Sequence, residues 1–122
     1  RDTAMTYDNM GIVYQAQGKY DQALEYHEKA LEIKKKTIGE VHSLTATTYN
    51  NMGNVYESQD KYDQALKYYE KAIEIDLKTI GNNHPQTKIH IRNKERLVKD
   101  INDHKVNIKR RQDITKTKRK RE

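Results

Sequence analysis

Three asparagines, Asn9, Asn51 and Asn93, stand 42 residues apart along a chain of 122. A carboxamide offers two N–H donors and one carbonyl acceptor, so it can hold a peptide backbone whatever side chains that backbone carries. That is recognition chemistry. Groups for bond-making are scattered by comparison. The five histidines, His27, His42, His84, His90 and His104, form no i, i+4 pair, and the chain has no cysteine to join them. No metal site, thiolate nucleophile or disulfide is therefore expected. No Ser–His–Asp set, paired carboxylates or phosphate-binding loop stands in the sequence. The expectation is a protein with no catalytic residues, no cofactor and no enzymatic activity.

The spacing of the asparagines belongs to a longer repeat. Residues 7–48 align with residues 49–90 without a gap, and 25 of the 42 positions are identical. Tyr7/Tyr49, Met10/Met52, Gly11/Gly53, Tyr14/Tyr56, Tyr20/Tyr62, Ala23/Ala65, Ala30/Ala72, Gly39/Gly81 and His42/His84 all coincide. The lead-in matches too, Thr3-Ala4 with Thr45-Ala46, and Ile91 falls where a third Tyr would stand.

Each repeat must supply elements that position these residues. Tyr7, Met10, Gly11 and Tyr14 recur at i, i+3, i+4 and i+7, which is a helix. Gly18, replaced by Asp60 in the second copy, marks a turn. Asp21 and Asp63 then read as N-caps of a second helix. Glu25–Lys29, Glu32–Lys36 and Glu74–Lys78 are favourably ordered pairs on it, worth about 0.2–0.5 kcal/mol each. Lys34, Lys35 and Lys36 suit the negative end of its dipole, and Gly39 stops it. Gly11 is expected to face Ala23 so that the two helices approach closely, with Ala30 admitting the next hairpin and tyrosines filling the gaps. The expected repeat core is Tyr7, Met10, Gly11, Tyr14, Ala23, Ala30, Tyr49, Met52, Gly53, Tyr56, Ala65 and Ala72. Residues 1–85 then hold two hairpins, about 2–43 and 44–85. Residues 86–108 form a third first-helix that caps the array, with Ile91, Val98 and Ile101 as its stripe and Leu97 and Ile108 beside it. Residues 109–122 are a basic tail, helical or disordered.

Composition agrees with stacked elements better than with one round core. Only 34% of residues are hydrophobic, an equal 34% are charged, and every aromatic residue is Tyr. Such a chain buries too little for a thick core, but a one-dimensional stack needs none. The formal charge of +6 is misplaced for a nucleic-acid-binding body: residues 105–122 hold nine Lys/Arg against two Asp/Glu, and the rest is near neutral. No aromatic residue interleaves the basic tail to stack on bases. The tail's alternative readings are polyanion attachment, nuclear import, or a solvated end. No apolar run reaches the length of a membrane span, and no signal-peptide pattern opens the chain. An intracellular, cytoplasmic location is the default. The chain opens at Arg1 without an initiator Met, as a segment of a longer reading frame would.

Tyr-x2-Met-Gly-x2-Tyr, followed by Tyr-Asp-x-Ala and by the alanines of the second helix, resembles the tetratricopeptide repeat. The usual unit is about 34 residues. The longer unit here, with its Gly-x-x-His-Pro ending at Gly81, His84 and Pro85, resembles the repeats of kinesin light chains. That resemblance implies an all-α fold in which antiparallel hairpins stack in a right-handed superhelix. First helices would line a concave groove that takes a peptide or a partner helix, as in a scaffold or adaptor. Asp8, Asn9, Ile12, Asn50, Asn51, Asn54, Arg92, Asn93 and Arg96 would face that groove, with the two arginines favouring an acidic ligand. Similar repeats use Asn there to hold a ligand's backbone; the alternative is that the amides bond a neighbouring helix and stiffen the stack. A self-associating structural repeat is the competing function, because near-identical repeats can stack between chains as they do within one.

Overall fold

The computed structural model describes the backbone of residues 2–121 and the side chains of residues 3–104. The side chains of Ile108 and of the basic tail lie outside the described residues. Among the described residues the chain is all-helical: α1 Asp2–Ala16, α2 Tyr20–Thr37, α3 Ser43–Ser58, α4 Tyr62–Thr79 and α5 Pro85–Arg121. α1 packs on α2 and α3 on α4 as two hairpins. α3 also packs on α2, and α5 on α4, so the elements stack in chain order.

Short motifs fix the connections. Each hairpin turns on a left-handed residue, Gly18 at φ 77° and Asp60 at φ 61°. Asp is among the few side chains that tolerate this region, which is why the second copy can dispense with glycine. Asp21 and Asp63 are not the N-caps the sequence suggests. Lys19 and Lys61 hold those positions, without a side-chain cap, and the aspartates sit in the first turn. There they still meet the positive end of the helix dipole.

The repeated Gly-x-x-His segment is a stop-and-restart device. Gly39 and Gly81 adopt φ 91° and 80°. Their N–H groups donate to Lys34 O and Asp76 O at 3.0 and 2.9 Å, closing α2 and α4. His42 Nδ1 and His84 Nδ1 then accept from the N–H groups of Leu44 and Gln86, capping α3 and α5. Thr45 and Thr87 donate back to the Gly39 and Gly81 carbonyls at 2.8 and 2.7 Å. One helix end and the next helix start are thus tied together within a few residues, twice.

Small residues set the close approaches. Ala23, Ala30, Ala46, Ala65 and Ala72 are fully buried. The glycines work differently from the expected Gly–Ala contact. A Cβ on Gly11 would lie 2.6 Å from the His27 ring, and one on Gly53 would lie 2.7 Å from the Tyr69 ring. Glycine is therefore needed under an aromatic ring, and at Gly53 the Ala65 carbonyl lies 3.3 Å from the added Cβ as well. Tyr14 stacks on Tyr26 and Tyr56 on Tyr68, with centroids 5.3 Å apart in both copies.

α5 closes the open side of hairpin two with Leu97, which packs on Ala65 and Tyr69, and with Ile101. Leu97 is wholly buried, whereas Ile91 and Val98 are only half-buried. The contact stripe of α5 is thus Thr87, His90, Leu97 and Ile101. It is turned from the expected one: Leu97 keeps the buried register of Val55, whereas Ile91, at the register of buried Tyr49, has among the described residues no following second helix to cover it.

Candidate interaction site

A buried polar cluster links the first three helices. Asp8 of α1 is 6% exposed. Its Oδ1 lies 2.9 Å from His27 Nδ1, and its Oδ2 lies 2.8 Å from both Lys34 Nζ and Thr48 Oγ1. An ionised carboxylate only accepts, so Nδ1 carries the His27 proton. Lys34 also donates to Thr48 Oγ1 at 2.8 Å and Leu44 O at 2.9 Å, so three acceptors meet its three N–H bonds. Burial opposes ionisation of Asp8, but bonds from His27, Lys34 and Thr48 and the Lys34 charge outweigh it, holding the carboxyl below its ordinary range. Lys34 is therefore not a loose cation at a helix end, as its place in the sequence suggests. Its ammonium is the hub that joins α1, α2 and α3.

The same register one repeat later carries different chemistry. Asp8, His27, Lys34 and Thr48 become Asn50, Tyr69, Asp76 and His90. Asp76 is fully buried. It accepts from His90 Nδ1 and, at 3.0 Å, from Gln86 Nε2, which also donates to Ser43 O. The Tyr69 hydroxyl lies 2.6 Å from Asn54 Oδ1 and 2.8 Å from Glu57 Oε1 and shares its proton between them. Burial and the Glu57 charge push that phenol well above its ordinary range. The residues at the places of Asn54 and Glu57 are Ile12 and Gln15, and His27 Nε2 is buried without a partner among the described residues.

These networks sort the expected groove residues. Asp8 and Asn50 are buried in the junctions between repeats. Asn93 donates to Asn50 Oδ1 at 3.1 Å. Arg96 donates to Glu57 at 2.8 Å and to Asn93 Oδ1 at 3.2 Å. Asn54 is taken by Tyr69. Arg92 is exposed. Asn9, exposed, and Asn51, half-buried, instead line a cavity of 660 Å³ between α1 and α3, floored by the end of α2. Met5, Ile12, Ile38 and Leu44 share its walls, and Asp8 and Lys34 reach its floor.

Of the expected core, Gly11, Ala23, Ala30, Tyr49, Met52, Gly53, Ala65 and Ala72 are buried. Tyr7, Met10, Tyr14 and Tyr56 are half-buried. Tyr7 and Tyr14 pack on Tyr26 of α2; Met10 and Tyr14 also line an open groove on α1, and among the described residues no helix covers α1 as α2 covers α3. The buried cluster itself escaped the sequence reading. A signal for it existed: positions 8/50, 27/69, 34/76 and 48/90 all differ between two otherwise similar copies. These four differences fall together in space, at the junctions between the helices.

The tetratricopeptide repeat model matches residues 2–78 and again residues 44–105. The chain belongs to the tetratricopeptide repeat family. Solved structures agree with the fold. BtubC (BKLC) from P. vanneervenii superposes with a TM-score of 0.72 at 25% identity, over 80% of this chain and 38% of that one. The nearly identical TPR-like repeats of a protein from Podosopora anserina, assigned as a kinesin light chain, superpose with a TM-score of 0.71 at 19% identity, over 81% and 47%. The chain thus spans less than half the length of either. Among curated proteins, none matches this sequence. The repeats are similar to those of kinesin light chain-type structures, and tetratricopeptide repeats in general mediate protein–protein interaction. No helix among the described residues is long and apolar enough to cross a membrane.

Proposed function

We propose that this tetratricopeptide repeat protein is a non-catalytic adaptor that binds a segment of a partner protein in the groove between α1 and α3. The observation that carries this reading is the 660 Å³ cavity. Its rim presents Asn9 and Asn51, two carboxamides with no bond to another described side chain. Clefts that hold a ligand run to about 300–1,000 Å³, mostly apolar with a few placed polar groups. The cavity has that composition. Asn93, tied to Asn50 and Arg96, is a structural amide in this reading.

The test uses peptides selected by phage display on the intact protein. Asn9→Ala with Asn51→Ala should weaken the selected peptides at least about tenfold in Kd, equivalent to about 1.4 kcal/mol. Binding unchanged in that double variant would remove the groove from the account.

A second reading, self-association, draws on the outer side of α1. Val13 is 54% exposed there. With Met10 and Tyr14 it lines a shallow groove of 500 Å³. Sedimentation that finds only monomer at high concentration would end this reading.

A further inference from the structure

The cavity between α1 and α3 is specific about what it can hold, and this inference rests on the groove reading above. Its exposed walls are aliphatic: Met5, Ile12 and Leu44 are 61, 48 and 52% exposed. Large apolar side chains left this open on one face of adjacent helices mark a surface that another molecule covers.

Among its described lining groups the carboxylate and the ammonium are those of Asp8 and Lys34, and each is already spent on the other; His42 also lines it, with Nδ1 taken by the Leu44 N–H. Lys34 has an acceptor for every N–H, and Asp8 takes three donors. A ligand carboxylate would find the Lys34 ammonium already engaged. A ligand ammonium would find a carboxylate already neutralised. Either would lose water without gaining an unspent Lys or Asp counter-charge.

The molecule also contains its own control. One repeat later Ile12 is replaced by Asn54 and Leu44 by Gln86, Asn51 recurs as Asn93, and Thr47 is replaced by Ile89. Asn54, Gln86 and Asn93 are all bonded internally, to Tyr69, Asp76 and Asn50. The two positions that are aliphatic and open at the first junction, 12 and 44, are polar and satisfied at the second.

We infer that the first junction is a selective pocket for an uncharged aliphatic side chain of the bound segment, of Leu, Ile or Met type. Asn9 and Asn51 take the main-chain amides that flank it. Specificity lies at this junction, and the second junction serves as scaffold.

Small probes test this on the full chain. N-acetyl-leucine methylamide, N-acetyl-aspartate methylamide and N-acetyl-lysine methylamide are titrated separately, reading the side-chain amide resonances of Asn9, Asn51 and Asn93. The leucine probe should shift Asn9 and Asn51 saturably, leave Asn93 still, and bind at least about tenfold tighter than either charged probe. Ile12→Asn, which copies the residue one repeat later at an exposed position, should abolish the shifts. Ile89→Asn, at an exposed aliphatic residue of α5, should not. No saturable shift from the leucine probe, equal binding of the charged probes, or leucine binding that survives Ile12→Asn would overturn the inference. A charged probe that alone shifts Asn51 would overturn the aliphatic pocket while keeping the groove. Display-selected peptides that leave Asn9 and Asn51 unmoved would remove the groove itself.

Discussion

Asp8 shows how one side chain can decide the role of several others. Its carboxylate consumes the charge of Lys34, and the groove beside it is left neutral. Its carboxyl titrates below the ordinary value of 3.8 because the bonded, paired state favours the anion. A depressed folded-state value contributes stability that is present above the unfolded value and lost as pH falls through the folded one. Asp8→Asn should therefore lower neutral-pH stability by about 1.5–3 kcal/mol, the range for hydrogen bonds to charged groups. It should also flatten the acid limb of the stability curve below the ordinary carboxylate range. Urea melts across pH check both. Gly53 is the second decisive residue. Tyr69 cannot retreat from an added Cβ, because its hydroxyl is fixed by Asn54 and Glu57. Gly53→Leu should cost about 1–3 kcal/mol by overpacking, and a thermal melt left unchanged would contradict this packing.

The helices differ chiefly in how their junctions are keyed. At the first junction an acid on the first helix meets a Lys on the second. At the next, the acid moves to the second helix and meets a His on the following one. Lys34→Asp should place two carboxylates together in a buried site and cost about 3–5 kcal/mol. Adding Asp8→Asn and Thr48→His copies the Asn50, Asp76, His90 set into the first junction and should recover most of that loss. A triple variant no more stable than the single one, by chemical denaturation, would mean that the junctions are not interchangeable units. α5 is held by a simpler device. Leu97 is fully buried between Ala65 and Tyr69. Leu97→Ala should cost about 2–5 kcal/mol, as large-to-small core changes do.

Across the whole molecule the stack is asymmetric. Hairpin two is covered on both sides, by α2 and by α5. On α5 the register of a next second-helix contact carries Lys88, Arg92, Glu95 and Lys99, all exposed and charged. The outer side of α1 instead presents Val13 and half of Met10. In a quasi-one-dimensional array each repeat is stabilised by its neighbours, so cover decides local stability. Amide hydrogen exchange should be slowest in α3 and α4 and faster in α1. Exchange that is uniform through α1–α4 would indicate a single cooperative unit.

The amino-acid sequence by itself determined the repeat, the hairpins and their ends. Those features are local and occur twice: the Tyr, Met, Gly and Tyr spacing, the left-handed turn at Gly18 and Asp60, and the Gly-x-x-His joints each act within a few residues. The three asparagines were legible as a ladder for the same reason. Only the tertiary structure decided which of them are free. Asp8 finds His27, Lys34 and Thr48 across 19, 26 and 40 residues, and Asn93 finds Asn50 across 43. The carboxamide is the same at each rung; what differs is the side chain that the neighbouring helix brings to it, and no local pattern encodes that. The ladder thus divides into Asn9 and Asn51, which face an open aliphatic cavity, and Asn93, which is bonded into the stack.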